Sequence, residues 1–189
     1  FNADRVRHNL ANGLRWGPDG WLYGRHGIQA ISHVGKPGVA DSERTPLSCA
    51  IWRYHPLTQK FQIVSQGTTN SWGMDWDKHG QLFFINTVIG HLWHAIPGSH
   101  LQRMYGEDAD PHVYALMPQI ADHMHFDVGN EDWMALRKTT MTTATDAAGG
   151  GHAHSGMLIY QGRGWPEAYQ DRLMTLNFHG RRINVERLE

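Results

Sequence analysis

The chain has one cysteine, Cys49, in 189 residues, which excludes an internal disulfide and any cysteine-rich metal knot. It has no surplus of charge: 17 Lys+Arg stand against 18 Asp+Glu, a formal net charge of -1. With no basic stripe to neutralise a run of phosphates, nucleic acid is excluded as a partner. Long apolar runs are also missing. HSGMLIY and QLFFINTVIG fall far short of the roughly 20 residues that a bilayer-spanning helix takes, so no direct membrane span is expected. No secretory leader is visible, and a chain that opens on Phe1 reads as a piece of a longer or processed protein.

What the chain does have is 14 histidines, 8 tryptophans and 21 glycines, and an internal repeat. NGLRWGPDGWLYG (12–24) and WGMDWDKHGQLFF (72–84) superpose with Gly13 on Gly73, Trp16 on Trp76, Gly20 on Gly80, Leu22 on Leu82 and Tyr23 on Phe83. Each copy reads as an alternating strand, a tight turn whose glycine can take a positive φ, and a second alternating strand. CAIWRYHPLTQKFQIVSQG supplies a further hairpin, with strands at Ala50 to Tyr54 and Lys60 to Ser65. GHLWHAIPG gives another strand, and SGMLIYQG, DRLMTLNFHG and RINVERLE give three more. Only VYALMPQIADHMHF and EDWMALRK carry a helical period, and TTMTTATDAAGGG is a loop by composition.

Four-strand units spaced by tens of residues, each opened by a glycine-bounded hairpin, argue for propeller blades over a sandwich. The expected fold is all-β: a partial β-propeller of about three blades of four-stranded antiparallel sheet. It forms one domain over 1–189, with a small, partly helical insertion over 99–148. Because propellers close with about four to eight blades, other propeller segments are expected as partners to cover the exposed sheet edges.

RHNLANGLRWGPDGWLYGRHG, ERTPLSCAIWRYHPLTQKFQIVSQGTTNSWGMDWDKHGQLFF, IGHLWHAIPG and DAAGGGHAHSGMLIYQGRGWPEAYQDRLMTLNFHGRRINVERLE together resemble the propeller region of a bacterial family of membrane-bound dehydrogenases. Members also carry the name haem-binding CxxCH protein. The resemblance implies a propeller distantly related to the soluble quinoprotein sugar dehydrogenases, which use pyrroloquinoline quinone (PQQ). It also implies a periplasmic or secreted location and a cytochrome c-like domain that receives electrons. Haem c would sit on that domain, since one cysteine leaves no CxxCH in this chain.

Carried over residue by residue, the quinoprotein resemblance makes His8 the catalytic base, nine residues before Gly17; a slippage of one would make Asn9 the equivalent. An Arg-Asn-x-x-Gly-Leu segment that contacts quinone and substrate is matched by Thr69, Asn70, Ser71, Trp72, Gly73 and Met74, so Asn70 keeps the asparagine and Thr69 replaces the arginine. An Ala-Pro-Ser-Gly segment is matched by Ala153, His154, Ser155 and Gly156, and a cofactor-pairing lysine falls at His179. Cofactor contacts are thus expected from Asn9, Asn70, Ser155, His179 and Arg181, with Arg25 and Arg182 as further cations available to the quinone carboxylates.

The histidines suggest a second chemistry. In HAHSG, His152 and His154 are at i and i+2, which puts both imidazoles on one side of an extended segment. DHMHF repeats the spacing with His123 and His125, after Asp122 as an outer acceptor. Two such pairs could hold Zn, Cu or Fe; Ca is the other candidate ion. The competing reading has one histidine of each pair bonded to a loop carbonyl and the other in solvent. Trp16, Trp52, Trp76 and Trp93 fall at alternating strand positions and are expected in the interior. Trp72 and Trp165 stand at strand entrances, where a ring could stack on a sugar, and Glu107, Asp108 and Asp110 read as a solvated acidic run.

Three functions follow as expectations. The first is an oxidoreductase acting on a sugar or other polyol and passing electrons to a haem domain outside this chain. The second is a non-catalytic binding or scaffold module for a partner protein or glycan. The third is a metal-dependent lactonase, for which Asn70 lacks a carboxylate set.

Overall fold

In the computed structural model, the described residues are 6, 9, 11–87, 90–119, 153–178 and 181–188. Among them every regular element is a strand, apart from two single 3₁₀ turns at Asp41–Glu43 and Glu167–Tyr169. No helix there is long and apolar enough to cross a membrane. The chain divides into two compact units: unit 1 is Phe1–Ser71 with Ala95–Pro118, and unit 2 is Trp72–His94 with Gln119–Glu189.

Unit 1 is built on a five-stranded sheet. Strands β1 (Asn12–Trp16), β2 (Leu22–His26), β5 (Ala50–His55) and β6 (Lys60–Thr68) form an antiparallel meander. Strand β10 (Ser99–Arg103) adds to β6 in parallel, with Ser99 opposite Ser65. A ribbon of β3 (Ser32–Val34) and β4 (Thr45–Leu47) leaves the sheet between β2 and β5. Alternation along the strands gives the sheet two distinct faces. Leu47, Ala50 and Trp52 form the core of one face, with Val34, Tyr54, Phe61 and Ile63 packed around them. On that face Gly24 lies opposite Trp52, and a β-carbon at 24 would occupy space the indole already fills.

Unit 2 holds two three-stranded sheets, β7 (Ser71–Trp76), β8 (Leu82–Asn86), β9 (Leu92–His94) and β11 (His154–Ile159), β12 (Arg172–Asn177), β13 (Arg182–Arg187). The second is a simple antiparallel meander, with His154 opposite Asn177 and Arg172 opposite Arg187. Ile85, Leu92, Met157, Ile159 and Leu173 are buried together between the sheets. Gly73 lets β7 approach Met157 closely, and the Asp75 Oδ2 accepts the Ile159 amide at 2.8 Å.

The repeat is real down to its hydrogen bonds. In the first copy Gly17 N–H donates to Trp21 O and Gly20 N–H to Gly17 O, at 2.8 and 3.1 Å; in the second Asp77 N–H donates to Gln81 O and Gly80 N–H to Asp77 O, at 3.0 Å each. Gly20 and Gly80 both have φ of +79°, the left-handed region that glycine enters without strain.

Three expectations change. Residues 113–119, the described part of VYALMPQIADHMHF, are irregular, with one parallel bridge from Met117 to Leu101; EDWMALRK lies outside the described residues. Trp52, Trp76 and Trp93 are interior, but Trp16 is 61% exposed on the edge strand β1. The acidic run is not uniformly solvated: the Asp108 side chain is 6% exposed and contacts the His100 Nδ1 at 3.1 Å.

Candidate functional site

Among the described residues, buried polar side chains gather in a cluster in each unit. In unit 1 it gathers where β2 ends, β5 begins and β6 ends. The Ile28 amide donates both to Thr69 O at 2.9 Å and to the Asn9 side-chain oxygen at 3.1 Å. Gly27 leaves the room that Asn9 occupies. Cys49, at a φ of +52°, donates its amide to Gly27 O and accepts the Gly67 amide at its carbonyl. Its thiol points at Gly67 O, 2.8 Å away, and burial pushes that thiol's pKa up to about 12. His26 is 2% exposed, with Nε2 2.8 Å from the Ser32 hydroxyl and Nδ1 2.8 Å from Gly27 O. Burial holds its pKa below the usual imidazole value. Asn70 is buried beside Thr69.

Arg25 lies at the same end of the sheet, opposite Asn12 on one side and Ile51 on the other. It is 7% exposed, and its Nε has no hydrogen-bond partner. Among the described residues no carboxylate pairs with its guanidinium. Strand β1 is bulged between Asn12 and Arg15, and Gly13, at a φ of +62°, leaves the space that the guanidinium fills. Burial, with Arg15 nearby, lowers the Arg25 pKa to about 10.

In unit 2 the His91 and His154 rings, each 0% exposed, stack with centroids 4.1 Å apart and planes 23° from parallel. The His154 Nδ1 is 3.2 Å from the Thr175 hydroxyl, and its carbonyl accepts the Thr87 hydroxyl at 2.9 Å. The His91 Nε2 lies 3.6 Å from a Glu186 oxygen. Asn86, Asn177 and Asn184 complete a polar lining.

The sequence-predicted residues distribute as follows. Asn9 and Asn70 are in the unit 1 cluster, joined through the Ile28 amide and Thr69. His154 is in the unit 2 cluster; Ser155 follows it on β11, half-buried, and Arg181 is exposed in the turn before β13, at a φ of +52°. His8, His123, His125, His152 and His179 lie outside the described residues. Among the described residues no group of three or more His, Cys, Asp and Glu could hold a metal ion. Trp165, where a ring could stack on a sugar but a packing role is favoured, is half exposed and stacks on Tyr160 at 5.1 Å. Three further residues belong to the clusters without a motif that marks them. Arg25 reads in the sequence as a spare cation, and its one signal is Gly13 on the neighbouring strand. His91 and Glu186 carry no local motif, because they reach His154 only through the folded sheets.

PQQ has three carboxylates, and each needs a cation or strong donors once buried. Arg25 matches one. Arg103 is turned onto Ser48, Arg181 is exposed, and Thr69 is uncharged with its hydroxyl on the Met104 sulfur. The described residues of unit 1 therefore fit one carboxylate of the quinone and not three, and no chemical step is derived through it.

Residues 2–188 match a family described as Domain of unknown function (DUF7133). No curated protein matches the chain. Among solved structures, the PQQ-bound form of an aldose sugar dehydrogenase from Streptomyces coelicolor aligns with a TM-score of 0.56 at 17% identity, over 97% of this chain and 47% of that one. That likeness shows the fold, a partial β-propeller, in a chain spanning about half the length of the enzyme it matches.

Proposed function

This chain belongs to the DUF7133 family, and we propose that it is the propeller portion of a periplasmic oxidoreductase, a dehydrogenase acting on a sugar or other polyol. The substrate enters at the end of unit 1 where Asn9, Arg25 and Thr69 lie, and electrons pass to a haem domain outside this chain. The observation that carries the reading is the shared Ile28 amide. Asn9 and Thr69, from segments 60 residues apart that the quinoprotein resemblance relates to catalysis and cofactor contact, meet on that one donor. The fold of a PQQ-bound sugar dehydrogenase adds support. His8, directly before Asn9, takes the hydroxyl proton; an imidazole titrating near neutral pH suits a general base.

The test is dye-linked oxidation of aldoses by the full chain, with and without added PQQ. Sugar-dependent dye reduction that His8→Ala removes, while the unfolding midpoint stays put, supports the reading. Sugar binding with no dye reduction under any condition contradicts it and favours the second reading, a non-catalytic module that binds a glycan or partner protein. That alternative is favoured by one observation: the described residues supply a counter-charge for one PQQ carboxylate and no metal-holding group.

A further inference from the structure

We propose that Arg25 is the receptor for a carboxylate on the ligand, so that the sugar taken at this end of unit 1 is a uronate and not a neutral aldose. The inference rests on the reading that this end takes a sugar, and it holds whether the sugar is then oxidised or only bound. A guanidinium at 7% exposure with its Nε unbonded is costly to keep, because the desolvation of a buried charge is offset only by a partner. Arg15, a second cation nearby, adds to that cost. A structural arginine in this position would face a carboxylate or a row of carbonyls, and none of the described residues provides one.

The local backbone is shaped around the group. Gly13 has no side chain, adopts φ of +62° in a bulge, and gives its β-carbon space to the guanidinium. Gly13 to Trp16 are exposed on an edge strand, and Gly13 puts no side chain against the guanidinium. A planar carboxylate offers two parallel acceptors to such a fork. A carboxylate could come from an acidic sugar or from the quinone. One unpartnered cation suits a ligand with one carboxylate better than a ligand with three.

The experiment is calorimetric titration of the full chain with glucuronate, with glucose and with PQQ, in wild type, Arg25→Met and Arg25→Lys, together with thermal unfolding of each unliganded protein. Glucuronate is expected to bind at least about tenfold tighter than glucose, the worth of a charge-assisted pair, and to weaken as salt is added. Arg25→Met should bring glucuronate down to the affinity of glucose, and Arg25→Lys should keep part of the difference. Unliganded Arg25→Met should unfold no lower than wild type, since it removes an unpaired buried charge.

Equal binding of the two sugars, or heat from neither, overturns the inference. So does an unliganded Arg25→Met that unfolds well below wild type, which would make the guanidinium structural. Arg25-dependent binding of PQQ with no response to glucuronate assigns the fork to a quinone carboxylate and also overturns it. Uronate binding with no dye reduction would remove the dehydrogenase reading and leave this one standing.

Discussion

Asp75 on β7 and Ile159 on β11 are joined by a single hydrogen bond of 2.8 Å from the Ile159 amide to the carboxylate, whose other oxygen accepts the Trp76 amide at 2.8 Å. The carboxylate is buried and ties the two sheets of unit 2 together at the point where Gly73 lets them approach. Replacing it by alanine removes the acceptor that both amides share, and a buried donor without a partner costs about 1–3 kcal/mol. Asp75→Ala should lower stability by about 2–3 kcal/mol in urea unfolding, with Asp75→Asn in between. An Asp75→Ala protein as stable as wild type would show that the bond is incidental.

Acid should destabilise the fold as pH falls below the ordinary imidazole value. Burial lowers the pKa of His26, and of His94 in unit 2, from the ordinary imidazole value of 6.5. Protonation is therefore easier in the unfolded chain. The contribution is fully present above pH 6.5 and is lost as pH falls from there through the folded values. Urea midpoints measured from pH 7.5 down to about 5 should decline, and His26→Asn should flatten part of the decline. A flat profile in wild type would contradict the burial of His26.

The Cys49 thiol should be inert in the native protein. Its pKa is pushed up to about 12 by burial, and its hydrogen lies on Gly67 O, so almost no thiolate is present at pH 8. A thiol reagent should label it only at the rate of unfolding, accelerated in step with added urea. Immediate labelling without denaturant would mean that the cluster around Gly27 and Gly67 is open.

Gly24→Ala should be poorly tolerated although alanine is the smallest addition. Trp52 fills the position of the missing β-carbon, and overpacking a filled site costs typically 1–3 kcal/mol. Tm measured by circular dichroism should fall accordingly, and Trp52→Phe in the same chain should recover part of the loss. Additive losses in the double variant would argue against the contact.

Much of the fold was legible because hairpins are local. NGLRWGPDGWLYG and WGMDWDKHGQLFF contain their own turn chemistry, and the three C-terminal strands were readable from alternation alone. The short ribbon β3–β4 and the parallel strand β10 were not. SHV, TPL and SHLQR are too short to show a period, and β10 is placed by β6 approaching at Gly67, where a β-carbon would run into the Leu101 carbonyl. Trp16 and Trp76 are equivalent in the repeat yet differ in burial, because exposure depends on what covers a strand and not on its neighbours in sequence.

The candidate site was legible only in part, for the same reason. Asn9 and Asn70 were picked out by resemblance, but the Ile28 amide, which joins Asn9 to Thr69 beside Asn70, has no sequence signature. His154 was read as one half of a metal-binding pair with His152. In the fold its partners are His91, 63 residues earlier in the chain, and Thr175 on the adjacent strand. Arg25 reads in the sequence only as a spare cation for the quinone; that its guanidinium is buried over Gly13 depends on the bulge in β1, which no local motif announces.

The location of the ligand site is tested most directly by amide chemical shifts. The isotope-labelled full chain would be titrated with glucuronate and, separately, with PQQ. Binding at the end of unit 1 should move the amides of Gly13, Ile28 and Thr69 first and leave those of Thr175 and Asn177 in place. Shifts confined to the His91 and His154 cluster, with Gly13 and Ile28 unmoved, would contradict it.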